Sequence, residues 1–191
     1  MKVGITKMYA DIAKIIGIEN YDVVNPYNNK LTEYYDLLII SKGYKERVKK
    51  LNPYPIFEIK SATFDDLIDS LNGLKRLNIG APNKIDKYIE TIQKKKNEIK
   101  SLKYPKNVKI NSKTEFIKKI IADLGLNISD DGILIIPDYM VDKNITITTI
   151  DENGKKTYIM LNTHRYDLNT LERIEDRYLS IIKSINKLSV E

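Results

Sequence analysis

The sequence predicts an α/β protein built on parallel sheets, and three observations support this fold class. Short apolar runs of strand length alternate with stretches of helical periodicity through the first hundred residues. The continuous apolar run at 37–40 is typical of a strand buried on both faces of a parallel sheet. A long amphipathic stretch then separates two parts. We expect a Rossmann-like first lobe at 1–82, a connecting helix at 83–104 and a smaller α/β lobe at 105–191.

The first lobe is predicted to alternate strands and helices. A helix over 8–16 should end at Gly17, because glycine adopts the left-handed conformation that terminates helices. A second helix opens at Gly43, and Thr63 with Asp66 three residues later forms the capping-box pattern of a third. The strands are expected at 2–6, 22–25, 36–41 and 56–59. Each connection is long enough to return the chain, so we expect four parallel strands in one sheet.

The second lobe is predicted from the same kinds of signal. Ser112 with Glu115 has the capping-box pattern for a helix that ends near Gly125. The turn dipeptide at 153–154, Asn-Gly, lies between two β-rich stretches and is typical of a β-hairpin. The remaining elements are the hairpin arms at 145–151 and 156–162, a strand at 132–137 and a final helix at 168–188. No internal sequence repeat is evident.

Composition excludes several classes of protein. The 191 residues contain no cysteine and one histidine, His164, which excludes disulfide scaffolds, thiolate zinc sites, iron–sulfur clusters and multi-histidine metal cages. We therefore predict no metal site formed by the chain itself. Hydrophobic residues make up 42% of the sequence, which is enough for a buried core. No apolar run approaches the roughly 20 residues of a membrane span.

Location and source are predicted from the first residues and from amino-acid usage. Residues 1–6 lack the apolar segment of a secretory signal, so we expect a cytoplasmic protein. Lysine, isoleucine, asparagine and tyrosine are abundant and tryptophan is absent, which indicates an AT-rich genome and a thermophilic source.

Charge is distributed unevenly along the chain, whose net charge is +6. Residues 1–104 hold 19 basic and 13 acidic side chains, whereas residues 105–191 hold 13 of each. An anionic partner should therefore favour the first lobe. Because both signs are interspersed, the charge permits nucleic-acid binding without implying it.

The first lobe shares a series of short patterns with one family of binding proteins. The matching stretches are Ile15-Ile16-Gly17-Ile18, 35–40, 55–59, 61–68 and 74–80, in this order along the chain. Residues 1–103 thereby resemble the N-terminal lobe of the class III substrate-binding proteins, which carry cobalamin, haem and iron–siderophores to ABC transporters. The resemblance implies a parallel α/β lobe before a long backbone helix, and a ligand that is a metal chelate or a tetrapyrrole.

The loops that follow the strands form the candidate site, because ligands of open parallel sheets bind outside the carboxyl ends of the strands. Four of these loops contain a tyrosine, whose ring can stack on a flat ligand. Lysines there can receive carboxylates, and a glycine lets the backbone approach a ligand closely. The predicted ligand-binding residues are Thr6, Lys7, Tyr9, Tyr27, Ser41, Lys42, Gly43, Tyr44 and Tyr139. His164 and Arg165 are added as a metal-ligating or proton-transferring imidazole with a neighbouring cation.

Structural explanations compete with each of these assignments. Thirteen tyrosines place some in loops by abundance alone, exposed lysines are ordinarily solvated, and a lone histidine is ordinarily a loop residue. The paired aspartates at 65–66 and 130–131 lie where a helix start and a turn need them. The run at 41–43 lacks the spacing of a Walker motif, and nucleophile-elbow, dinucleotide and kinase motifs are absent. The sequence therefore names no catalytic residue.

These observations predict a non-catalytic, intracellular binding or accessory protein for an anionic metal chelate or tetrapyrrole. Its partner would be this small anionic ligand or another protein, in preference to nucleic acid. Two alternatives stay open: an enzyme or assembly factor that acts on such a cofactor, and a nucleic-acid-binding protein that uses the basic first lobe. Chemical change of an incubated cofactor would indicate the first alternative. Steep salt dependence of binding to arbitrary duplexes would indicate the second.

Overall fold

The chain forms two compact units in a computed structural model, and the units divide between Lys94 and Lys95. The structure describes residues 1–140, 158–163 and 165–188. No helix within these ranges is both long and apolar enough to cross a bilayer. Each unit is built around its own parallel sheet, so the predicted α/β class is confirmed.

The first unit contains the predicted four-stranded parallel sheet. Its strands are β1 (Val3–Thr6), β2 (Tyr21–Val24), β3 (Leu37–Ser41) and β4 (Ile56–Ile59), in the order β2-β1-β3-β4. Ile5 of β1 lies opposite Val23 on one side and Ile39 on the other. Every neighbouring pair is parallel, so all four strands end at the same edge of the sheet.

In the first unit, capping residues mark the end of one helix and the start of another. They are α1 (Ala10–Ile16), α2 (Lys45–Leu51) and α3 (Phe64–Arg76), with one 3₁₀ turn at Lys7–Tyr9 before α1. Gly17 ends α1 with a left-handed φ of +74°, as predicted. The Thr63 hydroxyl oxygen accepts a hydrogen bond from the Asp66 amide at 3.1 Å, which confirms the predicted cap of α3. Helix α2 starts two residues after Gly43 rather than at it.

The predicted connecting helix is present as α4 (Pro82–Ser101). Its stripe of Ile85, Ile92 and Ile99 is buried. The division between the two units, at Lys94 and Lys95, lies within this helix.

The second unit contains a parallel sheet with the same strand order as the first. Its strands are β5 (Lys109–Ser112), β6 (Asn127–Ile128), β7 (Ile133–Pro137) and β8 (Tyr158–Leu161), in the order β6-β5-β7-β8. Helix α5 (Glu115–Asp123) follows β5 as α1 follows β1, and α6 (Thr170–Leu188) is the predicted final helix. Strand β6 was not predicted, because two residues carry no periodicity.

The N-cap predicted for α5 is wrong by two residues. Thr114 is the cap, and its hydroxyl oxygen accepts a hydrogen bond from the Ile117 amide at 3.4 Å. Ser112 instead ends β5, and its hydroxyl oxygen accepts a hydrogen bond from the Thr114 amide at 3.3 Å. The pattern failed because both residue types cap helices, and only the end of the strand decides which one does so. The predicted left-handed Gly125 is confirmed, with a φ of +67°.

The predicted hairpin turn at 153–154 and its first arm lie outside the described residues. Its second arm is described from Tyr158 and forms β8, which pairs in parallel with β7 and places Ile159 opposite Ile135. This arm therefore completes the second sheet as an edge strand.

Candidate functional site

The carboxyl edge of the first sheet collects lysines and hydroxyl groups. Strands β1, β3 and β4 are each followed directly by an exposed lysine: Lys7, Lys42 and Lys60. Since β1, β3 and β4 are successive neighbours in the sheet, the three lysines start from adjacent strand ends. We call this region the carboxyl edge; it comprises residues 6–9, 25–29, 41–44 and 60–61.

Hydroxyl groups from separate loops meet at the carboxyl edge. The Tyr9 and Ser61 hydroxyls lie 2.9 Å apart, which joins the loop after β1 to the loop after β4. The Ser41 hydroxyl lies 3.7 Å from the Met8 sulfur and accepts a hydrogen bond from the Tyr27 hydroxyl at 3.1 Å. The edge thus holds two sets of bonded groups, Tyr9 with Ser61 and Tyr27 with Ser41 and the Met8 thioether.

The side chain of Tyr27 is fixed by two kinds of contact. Its hydroxyl oxygen accepts a hydrogen bond from the Ser41 amide at 3.1 Å. Its ring is tilted by 60° against the ring of Tyr44, with the centroids 4.9 Å apart. Tyr44 remains 44% exposed, so part of this aromatic pair is accessible to a ligand.

Gly43 already has an anion at its amide. Its N–H donates a hydrogen bond to Glu58 Oε1 at 2.8 Å, and the Lys45 N–H donates to the same oxygen at 3.1 Å. The glycine has a φ of +92°, in the left-handed region that favours glycine. A ligand carboxylate at this amide would therefore have to displace Glu58. A carboxylate that binds the neighbouring exposed Lys42 would not have to do so.

Thr6 ends the inner strand β1 and is only 3% exposed. Its hydroxyl has no hydrogen-bond partner and does not cap the following 3₁₀ turn. An unpaired buried hydroxyl costs about 1–3 kcal/mol. The carboxyl edge therefore includes one buried hydroxyl, that of Thr6, whose hydrogen-bonding capacity is unsatisfied.

The opposite edge of the same sheet, where the strands begin, carries carboxylates. Lys2 contacts Asp22 at 2.9 Å and also pairs with Glu33, and both partners hold the pKa of the Lys2 ammonium above its ordinary value. Hydrogen bonds from Lys2 and Tyr35 lower the pKa of Asp22. Burial, followed by the hydrogen bond to Asp22, raises the pKa of Tyr35. The first sheet is therefore cationic where its strands end and acidic where they begin.

The remaining predicted site residues belong to the second unit. Tyr139 follows β7 and is 48% exposed. Arg165 donates hydrogen bonds to both oxygens of Asp167, the shortest at 2.6 Å, and Asp167 holds the pKa of Arg165 above its ordinary value. The neighbouring Thr163 donates hydrogen bonds from its amide and its hydroxyl to Asp138. His164 lies outside the described residues.

Both halves of the sequence match one protein family. Residues 4–96 match the N-terminal domain of the MJ0786 family, and residues 106–190 match its C-terminal domain. The chain belongs to the MJ0786 family. A relative from Methanocaldococcus jannaschii, named uncharacterized protein MJ0786, is 61% identical over 189 residues, which cover 98% of this chain and 95% of the relative.

The fold of this MJ0786-family chain is that of substrate-binding proteins. The SBP FpvC of Pseudomonas aeruginosa in complex with Mn²⁺ has a TM-score of 0.64 at 11% identity, with 98% of this chain and 99% of FpvC covered. The periplasmic vitamin B12 binding protein BtuF of Vibrio cholerae has a TM-score of 0.57 at 10% identity, with 99% and 97% covered. The resemblance to class III substrate-binding proteins is confirmed for the fold, and it extends beyond residue 103 to nearly the whole chain.

The sequence analysis of this MJ0786-family chain did not identify three residues of the carboxyl edge: Met8, Lys60 and Ser61. Lys60 and Ser61 follow β4, which the sequence predicted correctly, so applying the strand-end rule to every strand would have found them. Met8 lies between two predicted residues, but nothing in the sequence indicates its contact with Ser41, 33 positions away.

The MJ0786-family chain also has a surface depression, which lies apart from the carboxyl edge. An open depression of about 430 Å³ lies beside the starts of β1 and β2, lined by residues including Met1, Glu19 and Asn20. It is at the edge opposite the predicted site. Within the described residues, no group of three or more histidine, aspartate or glutamate side chains is arranged to hold a metal ion.

Proposed function

We propose that this MJ0786-family chain is a non-catalytic binding protein that uses the carboxyl edge of its first sheet to hold a small anionic ligand. The observation that carries the proposal is the placement of Lys7, Lys42 and Lys60 directly after three neighbouring strands. The carboxylate close to them, Glu58, is held by two backbone amides. Oxyanions are favoured where ammonium groups and hydroxyl donors converge.

The ligand class that fits this edge best is a metal chelate or a tetrapyrrole with carboxylate groups. The part-exposed Tyr44 of the Tyr27–Tyr44 pair can stack on a flat molecule. Lysines at adjacent strand ends can each meet one carboxylate. The substrate-binding fold supports a small ligand in general, and the relatives described above bind Mn²⁺ or vitamin B12.

Haem, a corrinoid and a nickel tetrapyrrole are the probes that test this proposal, each titrated against the wild-type chain. Stacking of a ring is worth about 0.5–1.5 kcal/mol beyond its buried area, so Tyr44→Ala should weaken binding about two- to twelvefold. Lys42→Ala and Lys60→Ala should each cost about two- to fivefold, because an exposed ion pair contributes up to about 1 kcal/mol. Raising the salt concentration should weaken wild-type binding.

Two matched variants serve as controls. Tyr34→Ala removes an exposed tyrosine that also packs against another ring, that of Tyr54 at 5.4 Å, at the edge where the strands begin. Lys87→Ala removes an exposed lysine from α4. Both should bind like wild type. Full-strength binding by the carboxyl-edge variants, or no binding of any probe by wild type, would contradict the proposal.

The intracellular location stays a prediction. Immunoblotting of cytoplasmic and membrane fractions from the source organism tests it, and recovery in the membrane or extracellular fraction would contradict it.

A further inference from the structure

Asn52 is a buried amide at the end of helix α2, with only 1% of its surface exposed. Its Nδ2 donates hydrogen bonds to the carbonyl oxygens of Pro26 at 3.1 Å and Asn29 at 3.0 Å. Its Oδ1 accepts a hydrogen bond from the Leu31 amide at 2.8 Å. One side chain thereby satisfies three backbone groups of a loop more than twenty positions earlier in the chain.

The loop that Asn52 holds is the segment after β2 that carries Tyr27. Tyr27 lies directly after Pro26, whose carbonyl is one of the three bonded groups. The loop connects β2 to β3 without a helix, so its shape depends on contacts of this kind. Arg47 of α2 adds one more bond, to the Asn28 side chain. The position of the Tyr27 ring is thus set by residues that follow β3.

We propose that Asn52 is a positioning residue for ligand binding, acting through Tyr27. The inference rests on the proposed function, because Tyr27 is part of the aromatic pair offered to the ligand. Asn52 does not itself lie at the carboxyl edge; it fixes the loop that brings Tyr27 to Ser41 and Tyr44. Its three bonds to backbone leave its side chain no spare donor for a ligand.

Replacing Asn52 by alanine leaves the Pro26 and Asn29 carbonyls and the Leu31 amide without this partner. Water or a shifted loop must then satisfy these groups. Movement of the loop separates the Tyr27 hydroxyl from Ser41 and its ring from Tyr44, because both partners belong to the segment at the end of β3 and not to the loop. Asn52→Ala should therefore reproduce the effect of losing Tyr27.

The ligand-free protein provides the first test. Nuclear magnetic resonance of protein with ¹³C-labelled tyrosine rings reports the surroundings of Tyr27, whose signal is assigned with Tyr27→Phe. Asn52→Ala should move that signal. Asn111→Ala is the matched control, since Asn111 is a buried asparagine that donates to the Asp130 carbonyl in the second unit. It should leave the Tyr27 signal in place.

A double-mutant cycle with haem as the probe provides the second test. Asn52→Ala and Tyr27→Ala should each weaken binding by a similar factor, and the double variant should bind no more weakly than Tyr27→Ala alone. An unmoved Tyr27 signal, or losses that multiply in the double variant, would overturn the inference. If wild type binds no probe, the proposed function fails, and the Tyr27 signal alone decides whether Asn52 sets the ring position.

A second variant covers the case in which Asn52→Ala fails to fold. Asn52→Asp keeps the oxygen that accepts from the Leu31 amide and loses the donors to the Pro26 and Asn29 carbonyls. It should shift the Tyr27 signal near neutral pH. Protonation of the aspartate at acid pH restores one donor and should move the signal part of the way back. A signal that matches wild type at every pH would overturn the inference.

Discussion

The two sheets of this chain have the same strand order but different chemistry where their strands end. In the first sheet, lysines follow three neighbouring strands, and the hydroxyls of the same loops bond in two pairs, Tyr9 with Ser61 and Tyr27 with Ser41. In the second, Asp138 is bonded to Thr163, and Arg165 is paired with Asp167. Three of the four strands of the first sheet are followed directly by a lysine, whereas in the second sheet only β5 is, by Lys113, and the loops after β7 and β8 hold the bonded Asp138 and Arg165.

This difference shows that the topology of a sheet does not determine the chemistry at the ends of its strands. Strand order determines which loops are neighbours, and it is the same in both units. The residues in those loops determine whether the neighbours satisfy each other or remain open to a ligand. A shared topology is therefore no reason to assign the same role to both edges.

The largest effect that would sharpen the comparison concerns two glycines, Gly4 within β1 and Gly132 just before β7. A methyl group at Gly132 would lie 2.6 Å from the Ile110 amide nitrogen, which is backbone of the neighbouring strand β5. At Gly4 it would meet the Leu38 side chain at 2.6 Å. Side chains can move and a paired strand cannot, so Gly132→Ala should destabilise the fold by about 3 kcal/mol and Gly4→Ala by about 1–2 kcal/mol.

Urea denaturation followed by circular dichroism measures both losses. If Gly4→Ala costs as much as Gly132→Ala, the first sheet is packed as rigidly as the second at these positions, and the distinction between side-chain and backbone contact is wrong.

An intermediate effect compares the helix caps of the two units. Thr63→Ala removes a cap bond of 3.1 Å and should cost about 1 kcal/mol, whereas Thr114→Ala removes a longer bond of 3.4 Å and should cost about 0.5 kcal/mol. Thermal unfolding measures both, and Thr63→Ser should retain most of the stability. Ser112→Ala decides the corrected cap of α5: a loss greater than that of Thr114→Ala would restore Ser112 as the cap.

The smallest effect is a pH dependence in the second unit. Hydrogen bonds from Lys109 and Ser129 lower the pKa of Asp131 from its ordinary 3.8 to about 2. A carboxyl with a lowered folded-state pKa stabilises the fold above its ordinary pKa, and this contribution is lost as pH falls towards 2. Asp131→Asn should therefore melt slightly below wild type at pH 7, and the two melting temperatures should converge near pH 2.

Lys2 of the first unit serves as a control for that measurement, because its pKa is raised, and its stabilising effect is therefore lost at alkaline rather than at acid pH. The pKa of Lys2 is raised above its ordinary value of 10.5, so its pairs with Asp22 and Glu33 stabilise the fold at neutral pH and weaken only as pH rises above that value. Lys2→Met should stay below wild type on the acid side down to the pH at which the carboxylates protonate. A difference between Asp131→Asn and wild type that stays unchanged from pH 7 to pH 2 would contradict the lowered pKa of Asp131.

Elements with strong local signals were predictable. The apolar run of β3, the glycine that ends α1 and the threonine that caps α3 each carry their structural reason within a few residues. Predictions were less accurate where two local solutions compete, as at Ser112 and Thr114. Strand β6 was missed because its two residues are held by the pairing of Lys109 with Asn127 and of Ile110 with Ile128, not by a pattern of their own.

The candidate site was predictable only in part. The rule that ligands bind at strand ends located Lys7, Lys42 and the loop tyrosines, and it would have located Lys60. It could not show that Gly43 binds Glu58, because that contact joins positions 15 residues apart. Nor could it reveal Asn52, whose role depends on three backbone groups of an earlier loop.

Apart from β6, the sequence by itself determined the order of the described strands and helices, because periodicity, caps and turns act over a few residues. It also determined that thiolate and multi-histidine metal chemistry are excluded, since the residues are lacking. Tertiary structure alone decided that both sheets share one strand order, that Tyr9 meets Ser61 and that Tyr27 meets Tyr44. The physical reason is range: strand pairing brings together residues that are distant in the chain, and no local pattern records which ones will meet.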